Sequence, residues 1–98
     1  MSNNYAVPTA VTIGKRKIKV ELCDQVFVGT EECRGAFDYE AGHIAIAKQA
    51  ATRQHNTLWH EMTHAILYDM GRYKLTKDEV FVTGLSSRLH KAIASARF

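Results

Sequence analysis

Long apolar runs are absent from this chain of 98 residues, and proline and cysteine are rare, with one and two copies. No stretch approaches the roughly 18 consecutive apolar residues that a membrane-spanning helix requires, so we expect no membrane span and no membrane partner. The opening residues, MSNNYAVPTA, have neither a basic start nor a long apolar stretch, and they do not resemble a secretory signal. The expected location is the cytoplasm.

The scarcity of cysteine also limits the sites that the chain can build. Neither Cys23 nor Cys33 has a close cysteine or histidine partner in a spacing typical of metal sites. In a reducing compartment we expect two free thiols rather than a disulfide. The hydrophobic fraction of 46% and the charged fraction of 23% are ordinary for a globular protein. The length fits a single domain over residues 1–98, of which residues 1–8 are expected to be loose.

The formal net charge is +3, and much of the basic excess lies in GKRKIKV, residues 14–20. The basic side chains of this segment are Lys15, Arg16, Lys17 and Lys19. Such a cluster can contact phosphates, which makes a nucleic-acid partner one alternative. Lysines are also common on edge strands, where they maintain solubility and discourage pairing with other chains. We favour the edge-strand interpretation.

The first half of the chain alternates apolar and polar residues, which is typical of strands. TAVTIGKRKIKVEL, residues 9–22, predicts a hairpin with its turn at Gly14 and Lys15. AFDYEAGHIAIAKQ, residues 36–49, predicts a second hairpin with its turn at EAG. Between them, QVFVG predicts a third strand or the edge of a turn, and the glycines and charges of GTEECRG predict a loop.

The second half changes to a period of three to four residues, which indicates amphipathic helices. The apolar face of the first helix comprises Leu58, Met62, Ala65 and Ile66. This helix is predicted to start near residue 54 and to end near Gly71. A second helix is predicted in residues 75–98, where Thr76 and Glu79 have the spacing of a capping box. Its apolar face comprises Phe81, Leu85, Leu89, Ala92 and Ile93.

This order of elements predicts an α+β fold. We expect a mostly antiparallel sheet of about three to five short strands, followed by two helices that pack against one of its faces.

The first helix contains the pattern HExxH within WHEMTHAIL, residues 59–67. His60 and His64 lie one turn apart on the same helix face, so both imidazoles can bind one metal ion. Glu61 is rotated by about 100° and can lean toward the open side of the ion without being a ligand. The pattern is typical of zinc sites in which the glutamate is the general base that takes a proton from activated water. The alternative is a helix that carries surface or structural histidines.

Zinc requires a third protein ligand. Asp69 is too far round the same helix to share the ion, and His90 is most simply a surface histidine late in the second helix. Asp78 and Glu79 open that helix, and either carboxylate can reach the first helix if the two pack together. Both also have structural alternatives, because acidic residues stabilise helix N-termini and Glu79 has the capping-box position.

Together, WHEMTHAIL and LTKDEVFVTGLSSRL resemble the gluzincin-type zincin metallopeptidases. The small size and the strand-rich first half are similar to minimal phage-encoded metallopeptidases and to SprT-like and ImmA-like domains. The resemblance implies that His60, His64 and Glu79 bind Zn²⁺ and that Glu61 is the general base. The metzincin type is excluded, because no third histidine follows His64 in AILYDMGRYK.

The resemblance further implies that a peptide or protein substrate lies along the edge strand that precedes the active-site helix. That strand would be HIAIAK, residues 43–48, whose small Ala45 and Ala47 suit a close peptide. The alternative is that these alanines pack under the helix. The residues considered as helpers of oxyanion stabilisation are His43, His55, Tyr68, Tyr73 and His90.

The leading hypothesis is therefore a small zinc metallopeptidase of the cytoplasm that hydrolyses peptide bonds. The main alternative is a non-enzymatic, zinc-stabilised binding module. A third hypothesis adds nucleic-acid contact through residues 15–19.

Overall fold

The computed structural model describes residues 7–98 and confirms an α+β fold in which strands precede helices. In chain order the strands are β1 (Ala10–Ile13), β2 (Arg16–Cys23), β3 (Val26–Val28), β4 (Glu31–Cys33), β5 (Gly35–Asp38) and β6 (His43–Ala47). The helices are α1 (Ala51–Asp69), α2 (Tyr73–Thr76) and α3 (Glu79–Ser95). Most of the segment expected to be loose, residues 1–8, lies outside the described residues. No helix within residues 7–98 is long and apolar enough to cross a membrane.

The main sheet has the strand order β1-β2-β6-β5. Its two outer pairs, β1 with β2 and β5 with β6, are antiparallel hairpins, as the alternating patterns predict. The hairpins join through a parallel pairing of β2 with β6, in which Val20 is opposite Ile44. The described strands at the edges of this sheet are therefore β1 and β5.

This topology corrects two predictions about edges. Residues 43–48 were expected to form the free edge, but they contain β6, which pairs with β2 on one side and with β5 on the other. The basic segment was expected on an edge strand, but β2 also lies inside the sheet. Lys17 and Lys19 are exposed because they alternate with the buried Ile18 and Val20 and point away from the core. Contact with nucleic acid through these lysines stays a prediction.

One face of the main sheet packs against α1 and forms the core. The buried members of this core are Ile13, Ile18, Val20, Ile44, Ile46, Leu58 and Ala65. Ile44 and Ile46 have no exposed surface, and Ala45 and Ala47 alternate with them onto the opposite face of the sheet. Neither interpretation of these alanines holds, because they are neither on a free edge nor under the helix.

A second, two-stranded sheet is formed by β3 and β4, which confirms the strand at 26–28. The predicted loop at GTEECRG is wrong in part, because Glu31–Cys33 pair with β3. Gly29 has φ of 63°, a conformation that glycine adopts without strain, and it allows the tight turn between the two strands. Cys23 and Cys33 are free thiols, as expected.

The first predicted helix ends where the sequence indicates. Gly71 has φ of 74°, its N–H donates to the carbonyl of Tyr68, and the next N–H, of Arg72, donates to the carbonyl of Leu67. This pair of hydrogen bonds is a Schellman motif, which satisfies carbonyls at the helix end. Ile66 was placed on the apolar face but is 40% exposed, and Leu67 is buried instead.

The second predicted helix is confirmed, with two corrections. Its N-cap is Asp78, whose carboxylate accepts a hydrogen bond from the N–H of Phe81, so the capping box from Thr76 is wrong. The predicted apolar face is also wrong in part, because Val82 and Ser86 are the residues of α3 that are buried. Phe81, Leu89 and Ile93, which were predicted for the apolar face, are 37%, 37% and 55% exposed.

Candidate metal centre

Two helices bring the predicted ligands together. His60 and His64 lie on one face of α1, one turn apart, and Glu79 is the first residue of α3. The short helix α2 follows the Schellman turn and reverses the chain, so the N-terminus of α3 meets this face of α1. The positions of all three side chains thus depend on how α1 ends and α3 begins.

The donor atoms of the three side chains lie close to one another. Nε2 of His60 is 3.2 Å from Oε1 of Glu79, and Nε2 of His64 is 3.0 Å from Oε2 of the same carboxylate. All three donor atoms lie within 4.8 Å of one another. Because a tetrahedral zinc ion with bonds of about 2.1 Å separates its ligand atoms by roughly 3.4 Å, the set of two imidazoles and one carboxylate fits zinc.

The geometry favours Glu79 over Asp78 as the third donor. The Asp78 carboxylate is used in the N-cap of α3, where it accepts from the N–H of Phe81 at 3.1 Å. The Glu79 side chain reaches back toward α1 and contacts both histidines. Asp69 lies at the far end of α1, where its carboxylate is next to Gly14. Metal binding by His60, His64 and Glu79 stays a prediction.

Thr76 orients one of the histidines, a role that no pattern in the sequence indicates. Its hydroxyl donates to the backbone carbonyl of His64 at 3.2 Å, and Nδ1 of the same histidine lies 2.9 Å from the hydroxyl oxygen. A hydroxyl has a single proton, so the oxygen must accept from Nδ1–H. The lone pair of His64 is then on Nε2, which faces Glu79, and this is the tautomer that a metal ligand requires.

Electrostatics favour the neutral form of His64. Burial lowers its pKa, and this effect exceeds the opposing influence of Glu79. A neutral imidazole is the form that binds metal ions.

Glu61 lies beside the cluster and is 7% exposed. Burial raises the pKa of its carboxyl to about 7, and the negative charge of Glu79 adds to the effect. Space for this arrangement comes from Gly35 in β5, where a Cβ atom would lie 2.5 Å from Cγ2 of Thr57 and 3.4 Å from Cγ of Glu61. The absence of a side chain at Gly35 thus lets α1 approach β5 with Glu61 between them.

A cleft of about 820 Å³ opens in front of the cluster. Its walls come from β5, α1 and α3, and its lining includes Phe37, His60, Glu61, His64, Tyr68 and Glu79. No described strand pairs with the outer side of β5, so this edge is available along the cleft. The arrangement can hold a metal ion and present a strand edge to an extended ligand. Beside the ion it places the Glu61 carboxyl, whose pKa in the metal-free protein is about 7.

The residues considered for oxyanion stabilisation lie in different parts of the structure. Tyr68 lies one turn beyond His64 and lines the cleft, and Tyr73 packs against Tyr68. Nε2 of His43 contacts Oε1 of Glu21 at 2.9 Å, on β2. His55 and His90 lie near each other, with ring centroids 5.5 Å apart. Among these residues, the structure brings Tyr68 to the candidate site.

Comparisons of the chain with protein-family models, with curated proteins and with solved structures find no match. The resemblance to gluzincin-type metallopeptidases therefore stays a prediction from the sequence.

Proposed function

We propose that this protein is a small zinc-dependent metallopeptidase in which His60, His64 and Glu79 bind the ion and Glu61 is the general base. The observation that supports the proposal is the meeting of three donor side chains from two helices beside a buried glutamate. Glu79 comes from a different helix, yet its carboxylate oxygens lie 3.2 Å from Nε2 of His60 and 3.0 Å from Nε2 of His64.

Each residue has a distinct part in the proposed reaction. The imidazoles of His60 and His64 supply two neutral donors, and Glu79 supplies the negative charge that favours a divalent cation. Thr76 keeps Nε2 of His64 free of a proton, so that ligand is ready to bind. When bound, zinc lowers the pKa of water and polarises a carbonyl group.

Glu61 transfers protons in this proposal. Its carboxylate accepts a proton from the attacking water and then donates it to the leaving amine. In the metal-free protein, burial raises the pKa of this carboxyl to about 7, and the positive charge of a bound ion would favour the carboxylate, which is the form that accepts the proton. Its burial also excludes bulk water that would compete for the proton.

The proposed substrate is a peptide or protein segment in extended conformation. It would lie along the outer edge of β5, which replaces residues 43–48 as the substrate strand. Strand addition supplies main-chain hydrogen bonds, and alternate side chains of the substrate then point into the cleft. The cytoplasm remains our proposed location, and the two free thiols support a reducing compartment.

One observation favours a second candidate, a zinc-stabilised binding module without catalysis. Val82 and Ser86 are the buried residues of α3, so Val82 is the buried apolar side chain of this helix of 17 residues. A metal ion shared by Glu79 and the two histidines would fasten it, which is a structural role. The two candidates predict the same metal content and differ in hydrolysis.

The test measures zinc stoichiometry and peptide hydrolysis on the same purified samples. We expect one zinc per chain, hydrolysis of a mixed peptide library, loss of both with a chelator, and recovery with added zinc. Glu79→Gln is expected to lose zinc, whereas Asp78→Asn keeps it, because asparagine is an equally good N-cap. A protein that binds no zinc contradicts both candidates, and a zinc-loaded protein that cuts no peptide in the library supports the binding module.

A further inference from the structure

Three tyrosines form a cluster at one end of the cleft. Tyr39 follows directly after β5, Tyr68 lies on α1 one turn beyond His64, and Tyr73 begins α2. Tyr39 and Tyr68 line the cleft, so the cluster is continuous with the wall that holds the candidate metal centre. The other end of the cleft is lined by Arg34 and Ser87, so the two ends differ in chemistry.

The rings of this cluster contact one another closely. The centroids of Tyr39 and Tyr68 are 3.8 Å apart, with ring planes inclined by 32°. The centroids of Tyr68 and Tyr73 are 4.9 Å apart, with the rings inclined by 63°. Such contacts stabilise aromatic pairs and fix ring orientation, so the surface is formed before any ligand arrives.

Arg16 packs against the Tyr39 ring of the cluster. Its guanidinium carbon lies 4.9 Å from the centroid of the Tyr39 ring, and its Nη2 donates to the carbonyl of Glu40 at 3.1 Å. Gly42 allows this packing, because a Cβ atom there would be 3.0 Å from Nη2 of Arg16. The Tyr39 ring of the cluster therefore packs against a side chain from β2 as well as against Tyr68.

The cluster keeps much apolar surface in contact with water despite these contacts. Tyr39 is 47% exposed and Tyr73 is 53% exposed. Removing aromatic surface of this kind from water favours binding. The Arg16 guanidinium over Tyr39 and the carboxylate of Glu40, the next residue in the chain, carry opposite charges, so their effects offset each other and charge favours neither a lysine nor an acidic side chain.

From this geometry we propose that Tyr39, Tyr68 and Tyr73 form a specificity subsite that takes a bulky, uncharged aromatic side chain of the substrate. The inference rests on the proposed peptidase function, since it names the side chain that the same cleft selects. The substrate backbone lies along β5, and the selected side chain packs on the tyrosines beyond the end of that strand. Tyr68 connects the subsite to His64 through one turn of α1.

The experiment uses acetylated octapeptides of alanine and serine in which one position at a time is phenylalanine, leucine, lysine or alanine. For the zinc-loaded protein, we expect phenylalanine at one position relative to the scissile bond to raise kcat/KM roughly tenfold over alanine. Lysine at that position is expected to give no gain. In Tyr39→Ala and Tyr73→Ala, the preference for phenylalanine is expected to fall to about threefold or less.

Phe27→Ala is the matched control, because Phe27 is an exposed aromatic residue of β3 outside the cleft. It should keep the full preference, and thermal melts should show that each variant is folded; Tyr39→Leu replaces Tyr39→Ala if the latter is unfolded. Unchanged selectivity in folded tyrosine variants, or a preference for lysine, overturns the subsite while hydrolysis still supports the peptidase.

A binding measurement separates failure of the subsite from failure of the peptidase. Calorimetric titration of Glu61→Gln with the same peptides should show tighter binding of the phenylalanine peptide than of the alanine peptide. Truncation of Tyr39 should remove this difference. If no peptide is cut but this binding preference exists, the subsite stands and the peptidase does not. Equal binding of the two peptides overturns the subsite.

Discussion

At the scale of single residues, the candidate site combines burial with chemistry most clearly at Glu61. The carboxyl group is 7% exposed, and its pKa of about 7 is well above its ordinary value of 4.5. A group whose pKa is raised on folding binds more protons in the folded state than in the unfolded state between these two values. Folding is therefore destabilised by ionisation of Glu61.

The first prediction is a pH dependence of stability in the protein kept metal-free with a chelator. The contribution of Glu61 to the free energy of unfolding is full below pH 4.5 and is lost as pH rises to about 7. The loss amounts to about 3 kcal/mol. Glu61→Gln lacks this titration, so its stability relative to the wild type should increase from pH 4.5 to pH 8. The free energies of unfolding of both proteins are measured with urea at pH 4.5 and pH 8. If the difference between the two proteins is the same at both pH values, the pKa of Glu61 is not raised.

Thr76 gives the second prediction at this scale. Thr76→Val keeps the shape of the side chain but removes the hydroxyl that accepts from Nδ1–H of His64, so both tautomers become accessible. Zinc affinity should fall by roughly 10- to 100-fold, as is usual for partners of metal-binding histidines. Competition with a zinc-binding dye measures the affinity.

Thr76→Ser is the control for this prediction, because it retains the hydroxyl and should retain most of the affinity. Equal zinc affinities of the valine and serine variants would show that the hydroxyl does not orient His64.

At the scale of elements, the close packing of β5 and α1 depends on Gly35. A Cβ atom there would lie 2.5 Å from Cγ2 of Thr57 and 3.0 Å from the carbonyl oxygen of Ala45, and the latter is backbone. Gly35→Ala should lower the free energy of unfolding by about 1–3 kcal/mol, because neither neighbour can move freely. Chemical denaturation provides the measurement.

Gly84→Ala is the matched control, since it lies inside α3 and its added Cβ would contact only the flexible end of Arg88. Helix propensity predicts a neutral effect or a gain of up to about 1 kcal/mol for this variant. If both alanine variants have the same stability, close contact at Gly35 does not constrain β5 and α1.

The elements themselves were largely predictable from the sequence, because hydrophobic periodicity is a local property. Both hairpins, α1 with its end at Gly71, and α3 follow the alternating and helical patterns. The position of β6 inside the sheet was not predictable, since it depends on the pairing of Val20 with Ile44 across the chain. Alternation in HIAIA reveals which residues share a face and leaves the neighbours of the strand undetermined.

The site shows the same division between local and long-range information. The spacing of His60 and His64 determines that they share a helix face, so their proximity was predictable. The proximity of Glu79, rather than Asp78, to the two histidines depends on the start of α3, where the Asp78 carboxylate accepts a hydrogen bond from the N–H of Phe81. Thr76 has the spacing of a capping box with Glu79, but its hydroxyl bonds to His64 in the folded chain. The position of the Thr76 side chain is therefore set by its tertiary contact with His64 and not by the local capping-box motif.

At the scale of the whole molecule, α3 is a helix of 17 residues in which two side chains, those of Val82 and Ser86, are buried. Its contacts with α1 include the Glu79–histidine cluster at one end and the pairing of His90 with Asn56 further along. Because the proposed ligands belong to both helices, zinc binding should stabilise the contact between α1 and α3 more than it stabilises the sheet.

The fourth prediction is that removing zinc increases hydrogen exchange in α3 more than in β2 and β6. At free zinc 100-fold above the dissociation constant, the ion should add about 2.7 kcal/mol to the free energy of unfolding. Mass spectrometry of exchange with and without a chelator locates the effect. If zinc removal lowers protection uniformly across the chain, zinc does not specifically stabilise the contact between α1 and α3.

The central claim is that Glu61 is the base of a zinc peptidase, and one comparison tests it most directly. The rates of peptide hydrolysis by the wild type and by Glu61→Gln are measured at equal, verified zinc content. The account predicts cleavage by the wild type and a rate at least about 100-fold lower in the variant, since general base catalysis typically contributes that much. Equal rates for the two zinc-loaded proteins, or no cleavage by either, would contradict it.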